Sequence, residues 1–304
     1  MTDPRQRVTI LGHGEMGRAM ESLLAADHDV TVWQRRPAAG APPVEPAAAV
    51  AGRRFVLFCV PTGALAELGT RIRPGLARDA ICITIAKGLD ERGRTGAAIF
   101  AELFGDRQAY GLLYGPMISE ELRAGRPGFA QVGTRTAADF ARIAGLFRRA
   151  PLYLESSRDM TGLSWSAVLK NVYAMLFGIA DGLALGDNLR GHLTVAALAE
   201  IAEIVMRLGG DAATPYRLAG LGDLVTTATS SGSHHHELGR RLARGDRESL
   251  RGEGIHTLDR LRQLKLIDPA THPLLRLIDT CVRVPGDTSR AMQRYLEALR
   301  PALP

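Results

Sequence analysis

The chain has 304 residues, 46% of them apolar and 23% charged, the composition of a globular protein with room for two packed cores. The net charge of +6 comes mostly from arginines scattered through helical patterns, without a dense basic run or interleaved aromatics, which argues against nucleic acid and suits an anionic small molecule. No run approaches the roughly 18–20 apolar residues of a membrane span, and the polar stretch 1–7 leads straight into a strand, leaving no room for a secretory signal.

In chain order, residues 7–12 (RVTILG) form a short β-branched run. Gly12-His13-Gly14-Glu15-Met16-Gly17 then opens a helical stretch, RAMESLLAAD, and a second strand follows at 30–33. Residues 36–51 are rich in Pro, Ala and Gly and read as a loop with a short helix. Further strands are expected at 55–60, 81–86, 110–114 and 128–132, mostly separated by helical patterns, so the sheet is expected to be parallel and covered on both faces. From about residue 160 helical patterns take over, at 162–184, 190–208, 215–218, 237–244, 254–265 and 273–282. The expected fold class is α/β: a Rossmann-type parallel-sheet domain over 1–156, followed by an all-α domain over 157–304. Cys59, Cys82 and Cys281 have no metal-ligand spacing. Cys59 and Cys82 lie in apolar runs, as reduced buried thiols do, which points to a reducing cytoplasm.

The G-x-G-x-x-G pattern gains weight from its setting, directly after a strand and opening a helix. Gly12 would permit the tight turn, Gly14 the approach of backbone to a pyrophosphate, and Gly17 close packing of helix on strand. The helix N-terminus adds unpaired N–H groups and a positive dipole end, so Glu15 and Met16 join the cofactor candidates. The second strand ends in Trp33-Gln34-Arg35-Arg36, without the acidic residue that would bind a ribose 2′-hydroxyl. Arg35 and Arg36 suit a 2′-phosphate, favouring NADP(H) with NAD(H) as the alternative, or they are simply solvated.

Within the apolar pattern VLKNVYAMLFGIADGLALGDN, Lys170 and Asn171 are costly unless their heads reach a partner or a cleft, and a lysine there can serve as acid or base on a carbonyl/hydroxyl pair. Asp223, in LAGLGDL, either caps a helix or orients that lysine.

These segments resemble the NAD(P)-dependent glycerol-3-phosphate dehydrogenases. The likeness takes in the glycine turn, VTVWQRR, Ala86-Lys87-Gly88, Tyr114-Gly115-Pro116, VLKNVYAMLFGIADGLALGDNLR, LAGLGDLVTTATSSGSHHHELG and Gly252-Glu253-Gly254, nearly the whole chain in order. It implies that Lys170 is the catalytic acid/base, with Asn171 beside it. Asp223 would support that lysine, Lys87 would contact substrate and cofactor, and Glu253 would lie by the cofactor. Gly115, Met117 and Ser119 fall in a motif near substrate and cofactor. The implied chemistry is hydride exchange between a nicotinamide and the central carbon of dihydroxyacetone phosphate, with Lys170 protonating the developing alkoxide and Lys87 helping to stabilise it. A homodimer is also implied, and no metal.

The likeness breaks where the family reads Ser-Arg-Asn at the substrate phosphate and this chain reads Ser233-His234-His235. An arginine offers a planar fork and a permanent charge; a histidine offers one or two donors and partial charge. His234, His235 and His236 are read as protonated anion binders helped by Ser233 and nearby N–H groups, as the mark of a different substrate, or as solvated loop residues or an adventitious metal site. Met117 stands where the family has a small polar residue, and the stretch after Arg36 is short. The leading expectation is a dehydrogenase acting on a phosphorylated ketone. The alternatives are a related dehydrogenase of 2-keto or 3-hydroxy acids, and a catalytically silent cofactor-binding regulator.

Overall fold

The computed structural model describes residues 5–36, 42–230, 232–248 and 250–300. Parts of two stretches read above, 1–7 and 36–51, lie outside them. The chain divides into two compact units: Met1–Asp90 with Arg94–Ser164, and Glu91–Gly93 with Trp165–Pro304.

The first unit is a seven-stranded sheet. Its strands are β1 (Arg7–Leu11), β2 (Asp29–Trp33), β3 (Phe55–Phe58), β4 (Ile81–Thr84), β5 (Ala109–Tyr114), β6 (Gly128–Thr134) and β7 (Leu152–Ser157), in the order β2-β1-β3-β4-β5-β6-β7. All neighbours are parallel except β5 and β6, which pair antiparallel with Leu112 opposite Gly133. The sheet is therefore mostly, not wholly, parallel. The helices are α1 (Glu15–Leu24), α2 (Pro46–Val50), α3 (Leu65–Ile72), α4 (Gly96–Phe104), α5 (Ser119–Arg123) and α6 (Ala137–Leu146).

Alternation along the central strands fills both faces. Val8, Ile10, Phe55, Leu57, Ile81 and Ile83 point to one core, with Met20 of α1 and Ile143 of α6. Leu11, Val56, Phe58 and Cys82 point to the other, with Leu65 of α3 and Phe100 of α4. Every residue of β3 and β4 is buried, which is why β3 reads as an unbroken apolar run and β4 as one interrupted only by Thr84. Helix starts are set by side chains: Thr95 caps α4, and Thr136 caps α6 by accepting from the Asp139 N–H at 3.1 Å.

The second unit is helical. It contains α7 (Met160–Gly182) from Trp165 onward, then α8 (Gly186–Arg207), α9 (Asp223–Thr229), α10 (His234–Ala243), α11 (Glu253–Gln263), α12 (Pro273–Arg283) and α13 (Thr288–Ala298). Contrary to the sequence expectation, α7 is long and apolar enough to cross a membrane by length and composition; its apolar 18-residue stretch is wholly buried, as in a core helix. Its fit against α10 needs glycine: a Cβ at Gly178 would collide with the His236 carbonyl, and one at Gly239 with the Met175 carbonyl. Glu200 of α8 is buried yet fully used. It accepts from the Tyr173 hydroxyl at 2.7 Å and from the N–H groups of Leu274 and Leu275 at 2.7 and 3.0 Å, so it caps α12. Burial first, then the Glu200 charge, push the Tyr173 hydroxyl well above its ordinary pKa.

Candidate active site

In the first unit, β1 runs into Gly12 at φ 99°, a left-handed backbone that strains any residue with a Cβ. Gly17, in the first turn of α1, meets the Gly12 carbonyl so closely that a Cβ would collide. At Gly14, the N-cap of α1, nothing lies within 4 Å of a Cβ position. Two glycines thus close the turn on strand and helix, while the third leaves space above the unpaired N–H groups of α1. That open cradle fits the diphosphate of a dinucleotide.

Around it, the carboxylate of Glu15 is engaged by Arg18, and by Arg123 at 2.8 Å. The hydrogen bond from Arg18 is the main reason that its pKa lies below the usual range. Met16 packs partly into the core, and Arg35 and Arg36 are exposed beyond the end of β2. The Lys87 ammonium donates to the Gly115 carbonyl at 3.2 Å, and the Tyr114 hydroxyl to the Ala86 carbonyl at 2.9 Å, tying together the segments after β4 and β5. Ser119 opens α5. Met117, expected beside substrate, packs in the apolar core at 7% exposure, where a thioether is at home.

In the second unit, Lys170 and Asn171 stand in the middle of α7, and both are buried. The Lys170 ammonium donates to the Thr227 hydroxyl at 2.7 Å and lies 3.2 Å from a carboxylate oxygen of Asp223. Thr227 in turn donates to the Asp223 carbonyl at 2.6 Å. Of the two roles considered for Asp223, the structure favours the second: it is the counter-ion of the lysine, while the N-cap of α9 is Gly222 and no side chain caps that helix. The glycine-rich turn before it is a wide helical turn, Leu218–Gly222, in which the Gly222 N–H reaches the Arg217 carbonyl five residues back. The Asn171 side-chain amide donates to Glu253 at 3.3 Å, bringing the late E-G motif to the lysine's neighbour.

The three histidines are not loop residues. Ser233 caps α10 by accepting from the His236 N–H at 3.3 Å, so His234, His235 and His236 form the helix's first turn. His234 is exposed and donates from Nε2 to the Arg251 carbonyl at 2.7 Å, which puts the proton of the neutral ring on Nε2. His235 accepts the Gly254 N–H at its Nε2, 3.3 Å away, which puts its own proton on Nδ1. His236 is buried and bonds through Nε2 to Asp181 at 2.8 Å. That overturns the reading of all three as solvated. Asp181 also accepts from the Arg190 Nε at 2.7 Å; burial works against its ionisation, but the bonds from Arg190 and His236 outweigh it and hold its pKa below the ordinary value. Among the described residues no group of three or more His, Cys, Asp or Glu is placed to hold a metal.

Sequence reasoning missed Thr227 and Asp181. Thr227 lies four residues after Asp223, one helical turn on, and that spacing was the available signal. Nothing in the sequence linked Asp181 to His236, 55 residues away.

The model of the NAD-dependent glycerol-3-phosphate dehydrogenase N-terminus matches residues 41–138, and that of the C-terminus matches 159–283. Glycerol-3-phosphate dehydrogenase [NAD(P)+] of Agrobacterium fabrum is 31% identical over 96% of this chain and 97% of its own length. The chain belongs to the NAD(P)-dependent glycerol-3-phosphate dehydrogenase family. The enzyme of that name from Gloeobacter violaceus is 34% identical over 79% of this chain and 77% of its own. A crystal structure of glycerol-3-phosphate dehydrogenase from Coxiella burnetii superposes with a TM-score of 0.82 at 25% identity, covering 96% of this chain and 99% of the other. Family membership makes the chain an NAD(P)-dependent oxidoreductase acting on CH–OH groups, with the nicotinamide dinucleotide bound by the sheet unit.

Proposed function

We propose that the chain interconverts sn-glycerol 3-phosphate and dihydroxyacetone phosphate with NADP(H), NAD(H) being the weaker cofactor. The observation that carries this reading is the buried Lys170–Asp223–Thr227 triad on two helices of the second unit, a placed ammonium with its counter-ion and acceptor already in position. The substrate is that of the similar glycerol-3-phosphate dehydrogenases of Agrobacterium fabrum and Gloeobacter violaceus.

A nicotinamide dinucleotide held by the sheet unit would supply the hydride for the carbonyl carbon, and would take it up in the reverse direction. Lys170 does the proton work: its ammonium donates to the alkoxide oxygen as the secondary alcohol forms, and its amine takes the proton back on oxidation. Asp223 and Thr227 hold that nitrogen at one place, so the proton is delivered from a fixed atom. Asn171 and Glu253 fix the adjacent polar surface, with Glu253 assigned to the cofactor. In the first unit, Gly12, Gly14 and Gly17 receive the diphosphate, with Glu15, Met16 and Ser119 bordering the cofactor. Lys87, held at the Gly115 carbonyl, is the cation assigned to a substrate oxygen. Arg35 and Arg36, exposed after β2, are assigned to the 2′-phosphate.

The substrate phosphate is assigned to Ser233, His234, His235 and the N–H groups that open α10, where the dipole favours an anion. A histidine in place of arginine weakens that grip without abolishing it. A cytoplasmic setting agrees with three unpaired cysteines, and a homodimeric state is part of the same reading.

The test is steady-state oxidation of NADPH and NADH with dihydroxyacetone phosphate, against a panel of 2-keto acids. The expected result is turnover with the phosphorylated ketone. Turnover with a keto acid alone would move the chain to a different substrate, and tight NADPH binding with no turnover at all would make it a cofactor-binding regulator.

A further inference from the structure

On the second unit, the segment between α11 and α12 borders a surface cleft of about 520 Å³. Three cations line it: Arg262 near the end of α11, Lys265 just beyond it, and Arg276 on α12. Arg262 reaches Asp279 at 3.6 Å, but that carboxylate already accepts from Arg283 at 2.6 Å. Asp268, the other acid of the cleft, accepts from the Ala270 N–H at 2.9 Å. Among the described residues, neither Lys265 nor Arg276 has a side-chain hydrogen bond or ion pair. Positive charge is therefore in excess, beside an apolar wall that includes Ile267.

Lys265 provides an independent observation. Its φ of 51° is left-handed, a backbone that among the described non-glycine residues only Ala184 shares. It follows the last turn of α11, where the Leu266 N–H returns to the Leu261 carbonyl at 3.0 Å and closes the helix end. Glycine is favoured at such a position, because a Cβ is strained there. A strained lysine at the edge of a cleft already short of negative charge points to a ligand.

We propose that this cleft binds a small phosphorylated, hydroxyl-bearing molecule of sugar-phosphate type. Lys265 and Arg276 hold the phosphate, one as a point charge and the other as a planar fork, and Asp268 accepts from ligand hydroxyls. The volume lies within the range of small-molecule sites and exceeds what inorganic phosphate fills.

Thermal unfolding with ribose 5-phosphate as the probe, at ionic strength matched with chloride, tests this on the full chain and on Lys265→Gly, Lys265→Arg and Arg276→Gln. The parent and Lys265→Arg are expected to show a saturable rise in Tm. Lys265→Gly and Arg276→Gln are expected to lose about tenfold in apparent affinity, as loss of one charge-assisted contact gives. All three variants keep the parent's kcat and KM, and Lys265→Gly without ligand is at least as stable as the parent. An equal response in all four proteins would place the probe at another site and overturn the proposal, as would no response of the parent at millimolar probe.

Discussion

Replacing Lys170 by alanine removes two things at once, and the structure separates their sizes. The Lys170 and Asp223 side chains are 7% and 6% exposed and their charges stand 3.2 Å apart. At an effective permittivity of about 20, unit charges at that distance attract by about 5 kcal/mol. Alanine deletes that attraction at a buried carboxylate, so Lys170→Ala should lose about 3–5 kcal/mol of folding stability. If Lys170 is also the proton donor, the chemical step should fall by roughly 10²–10⁴. Urea denaturation measures the first quantity, and single-turnover oxidation of NADPH by dihydroxyacetone phosphate measures the second. The double variant Lys170→Met/Asp223→Asn removes both charges and should recover most of the stability and none of the activity. Activity of Lys170→Ala within a few-fold of the parent would remove the lysine from its chemical role. A stability loss under about 1 kcal/mol would mean the pair behaves like an exposed one, and the burial argument would fail.

The other expectations are simpler to read. His234→Arg should lower KM for dihydroxyacetone phosphate with kcat little changed, in steady-state assays; an unchanged or higher KM would take the phosphate away from α10. Arg35→Ala should weaken NADPH more than NADH in fluorescence titration, and an equal loss would return Arg35 to the solvated surface. Gly239→Ala should destabilise the chain by at least about 1–3 kcal/mol in urea, because its methyl meets the Met175 carbonyl rather than a movable side chain. Asp181 has a folded-state pKa below its unfolded one, so its stabilisation is present above the unfolded value, about 3.9, and is lost as pH falls through the folded value. The stability gap between the parent and Asp181→Asn should therefore be full near neutral pH and close in acid; a gap that widens on acidification would contradict the pairing.

What could be read from the sequence follows from how each element is buried. β3 and β4 were legible because both faces of each strand are covered, leaving Thr84 as the one polar residue in the two runs. β7 was not, since it is an edge strand whose LYLESS pattern is mostly exposed or half-buried, and its polar residues read as linker. The antiparallel turn of β6 was equally hidden, because strand direction is a property of the connection and not of the strand's own residues. α13 was missed: its exposed positions carry polar residues and its buried ones are few, so its apolar stripe is thin. In the site, Lys170, Asn171 and Asp223 stood out as polar groups in apolar surroundings, and each proved to have a partner. Thr227 did not stand out, being one of several threonines in VTTAT.

The histidine run shows why a motif's departure is best judged from its frame. Taken alone, His234-His235 in place of the family's Arg-Asn suggests a site that has been lost. The frame is intact: Ser233 still caps α10, and Gly178 and Gly239 still let α10 close on the helix that carries Lys170. His236 is locked by Asp181, and His235 is tied to the backbone beside Glu253. Each of these contacts fixes where the N–H groups at the start of α10 lie with respect to the lysine's own helix. If α10 receives the substrate phosphate as proposed, an arginine at position 234 adds a charged planar fork to N–H groups already in place, so that substitution is expected to act on KM and to leave the proton-transfer machinery alone.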